Sequence, residues 1–523
     1  MKQLTGLDGS FLYMETPTTF GHVNGLAIYE RPRPDFDPYA AVYRRYASKV
    51  GELAPMRRRI VEVPFGLDHP YWVDDPAFDL DFHVRHMSIA PPGRREQLAD
   101  QVARIVGRPM DRSRPLWEVY VIEGLEGGDW ALLTKYHHAT IDGASGVIMM
   151  TLMNDLTPDA PPPGECPPWE PETIPSDAEL LRKAMGNMVR NPVKAVTTQL
   201  RMVRNIAAAV GVNSVSTAAQ QARAAIKALA APSSDGPRVS IPLSSAPPTP
   251  WNRSITAHRR FAMRAAKVSD LKRLKDVTGG TLNDIVMAIC AGAGRAYLLE
   301  KDALPDKPLR AMVPVSIRTG DEAEPWTNRV SALFVDLPTH LADPLERLAA
   351  CREAMDRGKR QFELVPAEAL VDISQYASPV VATSAIRLAA RLKLANRFDP
   401  PVNVIISNVP GPRQPLYLDG AKMKTYIPVS TIAEGMGLNV TVHSYLDELE
   451  FGIIACRELV PDVWHLVDLH LAEIDVLFAA AGVPRHLEPP TEPKTPPASR
   501  KPSRKRSPTK RTPASGPLAT ASG

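Results

Sequence analysis

Residues 136–146 read YHHATIDGASG and concentrate side chains that could perform acid–base chemistry. An imidazole with its ordinary pKa of about 6.5 is a natural base for a hydroxyl or a thiol at neutral pH. A strand that enters this stretch turns successive side chains to opposite faces, so His137 and His138 cannot both face one substrate. We therefore expect one histidine to face a cleft and the other to pack or orient. Asp142 and Gly143 are expected at the turn into a following helix.

Other interpretations of these residues stay open on local chemistry alone. His138 and Asp142 could share a helical face as metal ligands, but no third ligand stands nearby in the sequence. Ser145 could be a nucleophile, although GASG lacks the GxSxG frame of a nucleophile elbow. The spacing from His137 to Asp142 also resembles the motif of glycerol-phosphate acyltransferases. A purely structural histidine turn would explain the stretch equally well.

Apolar patterns around the motif predict the elements that must position it. The run 130–136 predicts a strand that leads into the histidines, and residues 146–156 predict a buried helix because they are apolar all round. Strict alternation predicts a strand over 78–85. Further predicted elements are strands at 402–407, 437–444 and 449–455 and a final helix at 461–480. The mixture of strand and helix patterns predicts an α/β architecture with mixed sheets.

Proline clusters divide the chain into segments. Eight prolines lie between Pro158 and Pro175, too many for a helix or a central strand, and a second cluster lies within 236–252. The predicted segments are an N-terminal domain (1–157), a Pro-rich linker with a helical crossover segment (158–250), a C-terminal domain (251–483) and a tail (484–523).

Composition narrows the class of protein. With 523 residues and 44% apolar content, the chain can form sizeable cores. Its four cysteines lie far apart without a CxxC pair, which favours reduced thiols over a disulfide framework or a zinc site. The N-terminus lacks the apolar run of a signal peptide, and no stretch offers the roughly 18 consecutive apolar residues of a membrane span. We expect neither a standard secretion signal nor a transmembrane segment.

Two regions are strongly basic. The tail over 484–523 has a net charge of +7, which leaves about −3 for the rest of the chain, and its composition predicts disorder. The tail is expected to be a solvated extension or a contact to anionic lipid, and no nucleic-acid partner is expected. Between Leu180 and Ser234 the chain has eight Lys or Arg and no acidic residue. The helices predicted over 180–231 either cross between the domains or present a basic amphipathic surface to anionic lipid.

The wider sequence resembles a known family. HHATIDG matches HHxxxDG, the signature of the CoA-dependent acyltransferase superfamily. More narrowly, the chain resembles the bacterial wax ester synthase/diacylglycerol acyltransferase family, in order, over about 4–483. The segments that carry the likeness include LTGLDGSFLYMET (4–16), PLW (115–117), GGTLNDIVMAICAGAGRAYL (279–298), PVSIR (314–318), NRVSALFVDLP (328–338) and SNVPGP (407–412).

The resemblance implies a two-domain fold, each domain a mixed sheet with packed helices, and an active-site channel between the domains. It implies that His138 is the general base, that His137 is its companion and that Asp142 is a structural residue, usually paired with an arginine. Gly143 would leave room at the channel.

Further residues receive expectations from the same resemblance. Asn283 and Asp284 would help to shape the channel from the second domain. A helix N-cap is an equally open interpretation of Asn283, because TLND precedes an apolar helical run. The residues Pro115, Leu116 and Trp117 are expected to determine the fold, and SNVPGP is expected to form a tight turn beside the channel.

The function implied is the transfer of a long-chain fatty acyl group from acyl-CoA to the hydroxyl of diacylglycerol, which gives triacylglycerol. The alternatives are a wax ester synthase that uses long-chain alcohols, an acyltransferase that makes complex cell-wall lipid esters from carrier-bound acyl groups, and a non-catalytic lipid-binding protein. No metal or cofactor is expected beyond acyl-CoA as co-substrate. The expected location is cytoplasmic, in peripheral contact with the inner face of the plasma membrane or with lipid droplets.

Overall fold

Two six-stranded sheets organise the described part of the chain. The computed structural model describes residues 1–190, 246–317, 326, 328–363 and 379–485. The strands β1 to β15 are Lys2–Gln3, His22–Tyr29, Arg58–Val61, Tyr71–Asp74, Val84–Ser88, Trp117–Glu123, Trp130–His137, Arg259–Lys267, Leu309–Ser316, Val330–Leu337, Val404–Val409, Tyr417–Leu418, Ala421–Val429, Leu438–Tyr445 and Glu448–Cys456. The helices α1 to α12 are Gly6–Tyr13, Pro38–Lys49, Ala54–Arg57, Leu80–His83, Arg95–Val106, Gly143–Leu152, Asp177–Arg190, Val268–Thr278, Leu282–Glu300, Pro344–Glu363, Pro379–Arg391 and Val463–Ala480.

The first sheet has the order β12-β13-β2-β7-β6-β5. Its pairs are antiparallel except β5 with β6, which is parallel. Four strands come from the first 137 residues, whereas β12 and β13 come from the C-terminal half. The sheet that contains the histidine strand is therefore completed by residues far along the chain, which the division by proline clusters did not predict.

The second sheet has the order β10-β9-β11-β14-β15-β8. The central strand β11 runs parallel to both β9 and β14, and the remaining pairs are antiparallel. Its apolar face packs on α8, α9, α10 and α12 in the largest core cluster. The predicted α/β architecture with mixed sheets is confirmed, and the strands and final helix predicted in the second half are present with bounds shifted by one to two residues.

The strand predicted over 78–85 is wrong for its first part. The side chain of Asp79 accepts a hydrogen bond from the backbone N–H of Asp81 at 3.1 Å and begins the short helix α4, so only Val84 onward is strand. Capping of a helical turn by aspartate competes locally with an extended chain. His83, at the end of α4, stacks on Trp117 of β6 with ring centroids 4.3 Å apart. This contact packs the helical turn against the first sheet.

The apolar helix α9 is a core helix of the second sheet. It is long and apolar enough to cross a membrane, the one such helix among the described residues, but 67% of its apolar window is buried inside the protein. All four cysteines are free thiols, as expected. Burial raises the pKa of Cys351 to about 12, which makes it a packing residue rather than a nucleophile.

Candidate active site

The histidine motif lies where β7 ends and α6 begins. His137 is the last residue of β7, and Asp142 is the N-cap of α6, where one carboxylate oxygen accepts the backbone N–H of Ser145 at 2.8 Å. The other carboxylate oxygen of Asp142 accepts the backbone N–H of Arg329 at 3.0 Å. Asp142 therefore joins the start of α6 to the segment that precedes β10 in the second sheet. The arginine of PVSIR, Arg318, lies outside the described residues.

His138 is held on two sides. Its ring stacks on Phe11 of α1, with centroids 4.1 Å apart and an interplanar angle of 5°. Its Nδ1 lies 3.3 Å from Oδ1 of Asn328. The amide nitrogen of Asn328 donates to Asp8 Oδ1 and to the backbone oxygen of His138, both at 2.7 Å. Because those two bonds fix the orientation of the Asn328 amide, its oxygen faces His138 and must accept a proton from Nδ1.

This tautomer determines what His138 can do. With the proton on Nδ1, the lone pair is on Nε2, which is the nitrogen available to a substrate. Burial lowers the pKa of His138 below its ordinary value, partly offset by Asp142 and Asn328, so the ring is neutral at pH 7. Burial also raises the pKa of Asp8, against the hydrogen bonds that it receives from Thr5 and Asn328.

His137 lies in a different environment from His138. The backbone N–H of Ala139 donates to its Nδ1 at 3.0 Å, so its proton is on Nε2, which lies 3.2 Å from Oε1 of Glu15. Glu15 also accepts from Arg112 at 2.7 Å. Burial raises the pKa of Glu15, but His137 and Arg112 outweigh this and hold it below its usual range. The chemical roles assigned to the two histidines stay predictions.

His138 opens on a cavity of about 500 Å³ between the two sheets. Strands β2, β7 and β13 of the first sheet and β9, β11 and β14 of the second contribute residues to its wall, together with most of the first eight residues of α6. Most of the wall is apolar, and Gly143 is part of it. A methyl group on Gly143 would meet Val409 at 3.7 Å, an ordinary contact, so packing alone does not require glycine there.

The predicted burial of α6 is wrong for one of its faces. Ile148 is part of the cavity wall and is 38% exposed, whereas Leu152 is 42% exposed without being part of that wall. A sequence that is apolar all round was read as buried in protein. Here the apolar surface instead borders space that a substrate can occupy.

The role of Asn283 and Asp284 in shaping the channel stays a prediction. Neither is part of the cavity wall. Asp284 accepts from Thr281 N–H at 2.7 Å and Thr281 Oγ at 2.8 Å, and Thr281 is the N-cap of α9. The alternative of an N-cap at Asn283 is wrong, because Asn283 is the second residue of α9. Its amide oxygen lies 3.4 Å from Nδ2 of Asn408, a residue of the cavity wall.

The competing chemistries find little support. Ser145 is fully buried and donates its hydroxyl to Asp142 at 2.8 Å, so its oxygen is tied to the helix cap. No cluster of three or more His, Cys, Asp or Glu suited to a metal ion occurs among the residues described.

Several residues around His138 were not assigned by sequence reasoning. Phe11, Asp8 and Asn328 lie within segments quoted for their family likeness, but no local pattern gave them a role. Asn328 is 190 residues from His138 and 320 from Asp8 in sequence. His443 of β14, which also reaches the cavity, lies inside a strand pattern that predicted only packing.

Two mixed six-stranded sheets on either side of an apolar cavity define the fold class of this chain, which condensation domains share. The starter condensation domain of rhizomide synthetase, solved in complex with C8-CoA and Leu-SNAC, is 14% identical and matches with a TM-score of 0.52, covering 92% of this chain and 94% of that chain. At this identity the likeness shows the fold alone.

Closer similarities identify the family. A family model for the wax ester synthase/diacylglycerol acyltransferase catalytic domain matches residues 4–286, and one for the C-terminal domain of the same family matches residues 326–477. A Mycobacterium tuberculosis protein named as a candidate diacylglycerol O-acyltransferase is 33% identical over 480 residues, which covers 90% of this chain and 88% of that protein. The solved wax ester synthase/diacylglycerol acyltransferase of Marinobacter aquaeolei VT8 is 29% identical with a TM-score of 0.64, covering 92% of this chain and 100% of that chain. This chain belongs to the wax ester synthase/diacylglycerol acyltransferase family, and it is an acyltransferase that uses acyl-CoA and an acceptor substrate.

Proposed function

We propose that this protein moves a long-chain fatty acyl group from acyl-CoA to the free hydroxyl of diacylglycerol, with His138 as the general base. The observation that carries the proposal is the neutral imidazole of His138, whose Nε2 has a lone pair beside an apolar cavity of about 500 Å³. An apolar wall suits acyl chains, and a neutral imidazole can accept the proton of a hydroxyl.

The reaction then follows from the contacts of His138. Its Nε2 takes the proton of the acceptor hydroxyl while the hydroxyl oxygen attacks the thioester carbonyl carbon. Asn328 accepts a hydrogen bond from Nδ1–H and stabilises the imidazolium that forms. The tetrahedral intermediate collapses with cleavage of the C–S bond, and the imidazolium returns its proton to the leaving CoA sulfur. These steps need no acyl-enzyme, metal or further cofactor.

A set of acyl donors and acceptors tests the proposal. Purified protein is given palmitoyl-CoA with diacylglycerol or hexadecanol, and an acyl-carrier donor in parallel, and the lipid products are identified by mass. We expect triacylglycerol as the main product. Wax ester as the sole product, or activity with the carrier donor alone, would favour the alternative acceptor or donor.

The base is tested by His138→Ala. We expect kcat to fall by about 100-fold or more, because positioned general bases contribute roughly 100- to 10,000-fold. His465→Ala, a change to an exposed histidine of α12, is the matched control. Turnover of His138→Ala close to that of the control, with folding preserved, would contradict the assignment.

We also infer that the protein contacts an anionic membrane or droplet surface from the cytoplasmic side. The support is a surface patch on the turn 64–66, which lies against α7 and α11. Its apolar side chains are well exposed: Phe65 is 81% exposed, Leu67 48%, Met185 65% and Leu388 56%. The exposed cations beside them on the two helices are Arg182, Arg387 and Arg391.

Apolar side chains among cations suit a lipid surface with negative headgroups. Large exposed apolar side chains that gather on one surface of a soluble protein mark an interaction site. Burial of such side chains at the acyl boundary and attraction of basic residues to anionic lipid add together. Of the basic segment 180–231, only the part up to Arg190 lies within the described residues.

A further inference from the structure

The cavity contains a second imidazole that the proposed chemistry does not use. His443 of β14 is 2% exposed, and its ring reaches the cavity wall. Neither of its ring nitrogens has a hydrogen-bond partner among the residues that the structure describes. A polar group buried without a partner is costly, so such a group in a binding cavity indicates a partner on the ligand.

Neighbouring residues fix the position of the His443 ring. Gly411 of SNVPGP leaves the necessary room, because a methyl group there would lie 2.2 Å from Cε1 of His443. The ring of Tyr426 covers another side, with its centroid 4.7 Å from that of His443. These contacts are apolar or steric, and they leave both nitrogens unpaired.

His443 lies near the reacting end of the cavity. It is the register partner of Val409 on the parallel neighbour β11, so the two side chains are on the same face of the sheet about 4.8 Å apart. Val409 in turn faces Gly143, the first residue of α6 after the histidine motif. His138 and His443 therefore line the same cavity, and Val409 and Gly143 connect their positions.

The charge state of His443 restricts the ligand. Burial lowers its pKa to about 4, so at neutral pH the ring is uncharged, with one N–H donor and one acceptor nitrogen. A neutral donor suits a carbonyl oxygen. It does not suit a phosphate, which needs cations or several N–H groups.

We propose that His443 donates a hydrogen bond to an ester carbonyl of the acceptor, so that it favours an acylated glycerol over a simple alcohol. This rests on the proposed function, because a diacylglycerol brings ester carbonyls into a largely apolar cavity, where each one needs a donor. A long-chain alcohol brings only the hydroxyl that reacts at His138. The thioester carbonyl of the donor has the same chemistry, and the experiment separates the two sources.

The test compares an ester acceptor with its ether analogue. Diacylglycerol and the matching dialkylglycerol have the same chains and hydroxyl, but only the former has carbonyl groups. We expect the ratio of their kcat/KM values to exceed one in the unaltered protein and to fall about fivefold in His443→Leu, the loss expected for one neutral hydrogen bond. His443→Gln keeps a donor and should recover part of the ratio.

Thr441→Val is the matched control, because Thr441 faces the same cavity two residues earlier on β14 and its hydroxyl already donates to Asn439 at 2.8 Å. The ratio should stay close to that of the unaltered protein. Equal losses with both acceptors in His443→Leu would assign the contact to the acyl donor or to packing and overturn the inference, as would an unchanged ratio. Should His443→Leu fail to fold, the ratio in His443→Phe, which keeps a ring but has no donor, decides against that in Thr441→Val. An unaltered protein that esterifies hexadecanol but not diacylglycerol would instead contradict the proposed function itself.

Discussion

His138 can take a proton only while its Nε2 is unprotonated, and two neighbours secure that state. Oδ1 of Asn328 accepts a hydrogen bond from Nδ1–H, with 3.3 Å between the two atoms, and the ring of Phe11 stacks on the imidazole with centroids 4.1 Å apart. The imidazole can therefore neither flip nor tilt freely. Asp8 and the backbone oxygen of His138 fix the Asn328 amide in turn. The arrangement orients the base through an amide rather than a carboxylate, which leaves the imidazole less basic.

The pH dependence of turnover reports this arrangement. Burial lowers the pKa of His138 and the hydrogen bond that its Nδ1–H donates to Asn328 raises it, so the neutral base persists below pH 6.5 and activity is lost as the pH falls through the lowered pKa. We expect Asn328→Ala to lower kcat by about tenfold and to move the acid limb of the kcat profile to still lower pH. A profile measured by CoA release between pH 4.5 and 8 checks this.

A purely structural role for Asn328 predicts a different outcome. Loss of packing would lower the amount of active protein without moving the acid limb. An unshifted midpoint, or a shift to higher pH, would therefore contradict the positioning role of Asn328.

At the scale of the element, aspartates at the N-termini of two helices, α6 and α9, have different roles. Asp142 caps α6 and also accepts Arg329 N–H at 3.0 Å from the second sheet, so it positions the turn that bears His138. Asp284 closes a capping box with Thr281 at the start of α9 and contributes nothing to the cavity wall. Both were predicted near the site, and only the tertiary contacts separate them.

Alanine substitutions distinguish the two caps. Loss of a capping hydrogen bond at a helix N-terminus costs about 1 kcal/mol of unfolding free energy, so Asp142→Ala, which removes an N-cap, and Asp284→Ala, which breaks a capping box, should each lower the urea midpoint. We expect Asp142→Ala also to lower kcat by tenfold or more, because the turn beyond His138 loses its anchor. Asp284→Ala should keep kcat per folded molecule. A comparable loss of kcat in Asp284→Ala would support its predicted role in shaping the channel.

At the scale of the whole molecule, the turn 64–66 and the two helices that contact it carry exposed apolar side chains and cations. We expect the protein to sediment with vesicles of phosphatidylglycerol, less with phosphatidylcholine, and less again in high salt. Leu388→Ser together with Phe65→Ser should lower the bound fraction several-fold, and Arg387→Ser with Arg391→Ser should weaken the salt dependence.

Val277→Ser provides the matched control for the patch. Val277 of α8 is 56% exposed, the same fraction as Leu388, but it lies on a different helix away from the turn. Its replacement should leave vesicle binding at the unaltered level. Binding that is equally insensitive to the changes at Phe65 and Leu388 would remove this surface from the membrane contact.

Local sequence determined a good part of this protein. The apolar run before the histidines predicted β7, apolar strand and helix patterns predicted the later strands and α12, and an ordered series of motifs predicted the family. These predictions succeed because strand and helix periodicity and turn chemistry act within a few residues. Local reasoning failed at 78–85, where a single aspartate cap outweighed alternation, and at α6, where an apolar face borders a cavity rather than a core.

The tertiary structure alone decided how the site is assembled. Asn328 meets His138 across 190 residues of sequence, and β13 completes the sheet of β7 from the other half of the chain. No local pattern encodes such contacts, because they depend on how both sheets pack around the cavity. The sequence by itself determined the histidine motif and the family. The packing of distant segments decided which nitrogen of His138 carries the proton, and which other imidazole shares its cavity.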